Sequence, residues 1–148
     1  MQEARVKSSD LILASIAERL ATDPKVNAAP WDQYALVAWY GDGVSKLNGF
    51  RYRGDAPGEP ATPASFEIED LLDDLRAATQ VEGKGPWRAC VVRLDRADGK
   101  VTVDFEYERP EVWEVTPATV RRVAERARSA DALTPTPRPQ HGRGATLP

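Results

Sequence analysis

The sequence predicts an α+β domain: an antiparallel sheet of about four strands from two hairpins, helices on one face, in the order α-ββ-α-ββ-α. Three observations predict it. Two β-favouring segments each bend at a glycine-containing break, Gly41-Asp42-Gly43 in the first and the favoured Asp98-Gly99 turn in the second. Three other segments carry apolar residues at helical spacing. The 148 residues, 41% hydrophobic and 29% charged, have the balance of one globular domain, long enough to bury about two-thirds of the unfolded surface without staples.

The first helix is expected over 10–22, after the capping residues Ser8-Ser9-Asp10, with Leu13, Ile16, Ala17 and Leu20 inward and Asp23-Pro24 as the stop. Asn27–Pro30 connects it to the first hairpin, Trp31–Tyr40 and Val44–Tyr52, broken at Gly41-Asp42-Gly43. Residues 54–63, rich in Pro and Gly, read as a loop. Thr62, Pro63 and Ser65 supply cap and first-turn chemistry for a second helix with Ile68, Leu71, Leu72, Leu75 and Ala78 on one face and Glu67, Glu69, Asp70, Asp73 and Asp74 over much of the rest. Val81–Pro86 ends it.

The second hairpin joins Trp87–Asp95 to Val101–Glu108. Centring its turn on Asp98-Gly99 sets Leu94 opposite Val103, Val92 opposite Phe105 and Cys90 opposite Tyr107 on a core face. The other face then sets Arg93 opposite Asp104 and Val91 opposite Glu106, with Thr102 and Glu108 extending a polar stripe toward solvent. Arg109-Pro110 ends the strand. Thr116-Pro117 opens a third helix with Val120, Val123, Ala124 and Ala127 inward and Arg121, Arg122, Glu125 and Arg128 outward. The domain is expected to occupy 1–132, and the Thr-Pro-Thr-Pro-Arg-Pro pattern beyond it marks 133–148 as a flexible tail.

Composition excludes much chemistry. Cys90 is the single cysteine, and the only histidine, His141, lies among prolines and glycines; no Ser-His-Asp triad, thiolate cluster or imidazole metal site can be assembled in the body of the domain. Gly41-Asp42-Gly43 and Gly83-Lys84-Gly85 lack phosphate-loop spacing and read as turns. The Glu67, Glu69, Asp70 group lacks calcium-loop geometry. No cofactor, metal or turnover is expected, although carboxylate-based catalysis stays open as a third reading. No apolar run approaches a membrane span and the first residues lack signal-peptide order, which reads as cytoplasmic.

The net charge of −3 is segregated: residues 1–54 carry +1, 55–114 carry −8 and 115–148 carry +4. An acidic middle repels nucleic-acid phosphates and suits a basic protein.

Leu75-Arg76, a glycine-containing link, Trp87 and its alternating strand, Asp98-Gly99-Lys100 and Val103-Asp104-Phe105-Glu106-Tyr107, with the earlier Trp31 strand leading to Phe50-Arg51-Tyr52, resemble the YezG-like immunity proteins of bacterial polymorphic-toxin systems. The resemblance covers 31–115; the long Pro/Arg tail and the 54–63 loop depart from it. It implies a small cytoplasmic protein, without a cofactor, that protects its producer by binding and blocking the catalytic domain of a secreted toxin. Many such domains act on nucleic acids and present basic clefts, so the expected contacts are the acidic faces: Asp104, Glu106 and Glu108 on the last strand, and Glu67, Asp70, Asp73 and Asp74 on the second helix. Trp31 and Trp113, beside loops, are candidate interface anchors; Trp39, Trp87 and Cys90 are expected to pack. The alternative is a non-enzymatic adaptor in a secretion or regulatory complex, docking through its tail.

Overall fold

The strand Ala35-Leu36-Val37-Ala38 is apolar on both of its faces, and a strand with no polar face must be covered on both sides. The computed structural model, which describes residues 2–41, 43–79, 85–128 and 145–146, places it accordingly. It belongs to β1 (Gln33–Gly41), at the centre of an antiparallel sheet with β2 (Val44–Tyr52), β3 (Glu59–Pro60), β4 (Ala89–Asp95), β5 (Lys100–Glu106) and β6 (Ala145–Thr146). The order across the sheet is β3-β2-β1-β4-β5-β6. The class is α+β as expected, and the four long strands are the two hairpins. The short β3 and β6 extend the edges: β3 arises in the 54–63 loop, where Pro60 is tolerated because an edge strand needs its N–H on one side only.

Helices α1 (Gln2–Thr22) and α2 (Phe66–Ala78) cover one face. Leu13, Ile16 and Leu20 of α1 and Ile68, Leu72 and Leu75 of α2 meet Tyr34, Leu36, Cys90, Val92, Leu94 and Val103 in the larger core. The expectation that the helices share one face is corrected by α3 (Val120–Ala127), which lies on the other. There Val123, Ala124 and Ala127 pack against Ala35, Val37, Phe50, Tyr52 and Val91 in a second core. The reason was visible in β1 and in Ala89–Val92, both apolar on alternate and intervening positions.

Three further differences are local. Helix α1 starts at Gln2, so Ser8-Ser9-Asp10 lies inside it; the preceding Glu, Ala, Arg and Lys residues are strong helix formers and outweigh a capping preference. The β4–β5 register pairs Cys90 with Phe105, Val92 with Val103 and Leu94 with Val101. The turn takes four residues, with Gly99 at φ 68°, and this shifts each pair by two positions while leaving every side chain on its expected face. Arg128, expected outward, is 7% exposed: its guanidinium donates to the carbonyls of Gly54 and Ala56 at 3.3 and 2.5 Å and lies 4.8 Å from the Tyr52 ring centre. Pairing with Glu125 completes its polar satisfaction.

The expected tail lies outside the described residues apart from Ala145–Thr146, which pair with Val101 and Lys100. His141, Asp42 and the connector residues Val81–Lys84 also lie outside them.

Candidate functional site

Helix α2 is held at both ends. Ser65 caps its start, its Oγ accepting the Glu67 amide at 3.2 Å. The carboxylate of Asp23, 4% exposed, ties that start to the end of α1. One oxygen accepts the amides of Lys25 and Val26 at 2.8 and 3.1 Å, the other those of Ala64 and Ser65 at 2.9 and 3.3 Å. At the far end Arg76 donates to the Trp87 carbonyl at 2.7 Å and stacks 4.4 Å from the Tyr40 ring centre. Thr79 Oγ1 closes the last turn on the Leu75 carbonyl at 2.6 Å and accepts the Trp87 indole N–H. A helix clamped in this way needs no backbone ordering on binding.

That outer face is acidic. Glu67, Glu69, Asp70, Asp73 and Asp74 are all exposed. Glu67 pairs with Arg19 at 2.9 Å and Asp73 accepts the Tyr40 hydroxyl at 3.4 Å, while Glu69, Asp70 and Asp74 make no ion pair among the described residues. The first residue of the helix, Phe66, is 83% exposed. At 100° per residue it stands opposite the Ile68, Leu72 and Leu75 stripe and in line with Asp70 and Asp73. Sequence reasoning missed Phe66; the signal was an aromatic residue out of phase with the apolar stripe. A cleft of about 70 Å³ runs between this helix and the first hairpin, lined by Ser45, Lys46 and Leu47 on one side and Glu69, Leu72 and Asp73 on the other. Helix α2 therefore lies over the β2 side of the sheet.

The strand acids are placed differently. Asp104 faces α3, not open solvent: its Oδ2 accepts from Arg93 Nη1 at 2.5 Å. Arg93 itself is 8% exposed and donates Nε to the Ala127 carbonyl at 2.8 Å. Glu106 accepts the amides of Glu108 and Arg109 at 3.1 and 2.9 Å, capping the turn that leaves β5; Glu108 is exposed. The expected Arg93–Asp104 ion pair is present, but the expected open polar stripe is corrected, because α3 covers that face and buries the pair. Trp31 is corrected as well. It is 4% exposed, donates its indole N–H to Asn27 at 3.1 Å and lies under the Arg96 guanidinium at 3.8 Å, so it pins the connector instead of presenting a free indole. Trp113, in the 3₁₀ turn Pro110–Trp113, is half-buried against the second core.

The chemistry available elsewhere is limited. Cys90 is buried among apolar side chains, and burial, reinforced by Asp104, pushes its thiol well above the usual range, leaving no thiolate for attack. Burial likewise raises Tyr34, Tyr40 and Tyr52. Among the described residues no group of three or more His, Cys, Asp or Glu is placed to hold a metal ion, and no helix is long and apolar enough to cross a membrane. A larger groove, about 570 Å³, lies between α3 and the β2–β3 loop. Its lining is mostly apolar, and its ionisable groups are Arg121 and Glu125, the latter bonded to Arg128.

No protein-family model matches the chain, and no curated protein matches it.

Proposed function

We propose that this protein is a non-enzymatic immunity protein that binds and blocks the basic catalytic domain of a bacterial toxin, using the outward face of α2. The observation that carries the reading is Phe66, exposed at the head of a clamped helix whose outer surface carries Glu69, Asp70, Asp73 and Asp74. Each part has a physical role in such a complex. The carboxylates steer a basic partner and set its orientation, chiefly raising the association rate. The aromatic ring supplies apolar area that is worth most when water is excluded around it. Glu67 contributes less, since Arg19 already neutralises it. Trp113, packed against the second core, Glu108, beyond the end of β5, and the internal Asp104 fall outside this surface.

The test is co-expression with the toxin domain encoded beside this protein's gene. The protein should restore growth, and Asp70→Lys with Asp73→Lys should abolish that protection while leaving the fold intact. Equal killing with and without the protein overturns the proposal.

A further inference from the structure

We infer that the partner docks by adding a strand: an extended basic segment of the partner pairs with the open edge of β2 at Ser45–Leu47, alongside the acidic face of α2. The inference rests on reading α2 as the partner-binding surface. Strand β2 pairs with β1 along its whole length, from Val44 opposite Gly41 to Tyr52 opposite Gln33. On its outer side, β3 meets only Phe50 and Arg51.

A two-residue loop makes Gly41 and Val44 a hydrogen-bonded pair, after which bonding alternates. Lys46, Asn48 and Phe50 therefore direct their backbone groups to β1, and Ser45, Leu47 and Gly49 direct theirs outward. Gly49 establishes the phase: its amide donates to Thr62 Oγ1 at 3.2 Å and its carbonyl accepts from Ala61 at 2.7 Å. The outward amides and carbonyls of Ser45 and Leu47 have no such partner among the described residues.

Natural edges are defended by proline, bulges or charge. Pro60 defends the lower half of this edge, but no proline or bulge guards 44–48. Lys46 is the one charge there, and its ammonium is engaged by Glu114 at 2.8 Å, from the 3₁₀-turn side of the sheet. On the α2 side, the cleft beside the edge carries Glu69 and Asp73. A strand laid on Ser45–Leu47 would direct alternate side chains toward those carboxylates, which selects lysine or arginine at every second position.

The probe is a fluorescent peptide of alternating lysine and valine, titrated against the full chain by anisotropy. Two controls accompany it: the same peptide with glutamate for lysine, and the lysine peptide N-methylated on alternate amides, which keeps its charge but cannot pair. Strand addition predicts binding by the first and at least about tenfold weaker binding by both controls. Ser45→Pro, which deletes an outward N–H and none of the β1–β2 bonds, should weaken the lysine peptide similarly without lowering the unfolding temperature. Amide exchange at Ser45 and Leu47 should slow in the complex.

Unchanged binding by the methylated peptide or by Ser45→Pro overturns strand addition. If Asp70→Lys with Asp73→Lys still abolishes binding in that case, the acidic surface stands without the added strand. Failure of the lysine peptide to bind at all also overturns strand addition, and the toxin co-expression result then judges the α2 surface separately.

Discussion

Replacing Asp104 by alanine should unfold this protein more readily, and the size of the effect follows from its position. Asp104 is paired with Arg93, whose side chain is 9% exposed, while the Asp104 carboxylate retains 23% exposure. Removing one partner of a fully buried pair costs about 3–5 kcal/mol because the other charge is left desolvated. Water reaches this pair from the Asp104 side and the guanidinium keeps its bond to the Ala127 carbonyl, so the expected loss falls below that range, to about 2–3 kcal/mol. Against a total stability of about 5–15 kcal/mol, that is a large fraction. It should lower the thermal midpoint by about 6–12 °C for a domain of this size. Urea unfolding followed by circular dichroism measures it directly. Pairing Asp104→Ala with Arg93→Met in a double-mutant cycle should give a double variant less destabilised than the sum of the two. A midpoint unchanged by Asp104→Ala, together with lost partner affinity, would return Asp104 to the exposed contact role that the sequence suggested, and would refute the internal-pair argument.

Phe66→Ala should leave stability within about 0.5 kcal/mol, as surface substitutions usually do, while reducing toxin-domain affinity several-fold in a titration calorimeter; a large stability loss would show the ring packed, not free. Asp23→Ala should cost about 2–3 kcal/mol, since it strips four backbone amides of a buried acceptor. Hydrogen exchange should then accelerate first at Ala64–Glu67, and uniform acceleration would contradict the anchoring role. Alkaline titration tests the tyrosines. Burial raises Tyr34, Tyr40 and Tyr52 above their unfolded value of about 10, so the neutral form is favoured in the fold. Their contribution is complete below that pH and is lost as pH rises beyond it. Tyr107 is more open to water, so one tyrosinate can form in the folded protein; the other three should appear cooperatively with loss of circular dichroism, and more than one tyrosinate formed before unfolding would falsify it.

Local patterns in the chain were sufficient for the presence of the two hairpins, though not for the β4–β5 register, for α2 with Ser65 among its candidate caps, and for the inward faces of all three helices, because hydrogen-bond period and turn geometry act over a few residues. The acidic face of α2 was legible for the same reason: a helix repeats every 3.6 residues, and the carboxylates fall off its apolar stripe. Tertiary packing decided the rest. Whether an acidic strand residue meets solvent or a buried arginine depends on what lies across the sheet. Nothing near Asp104 in sequence announces that α3, reached through the 3₁₀ turn, covers that face. The same holds for Trp31, sealed by Arg96 from the far hairpin, and for Arg128, drawn inward by carbonyls more than seventy residues away. The open edge at Ser45–Leu47 is also a tertiary fact, since an edge exists only once every other strand has taken its place.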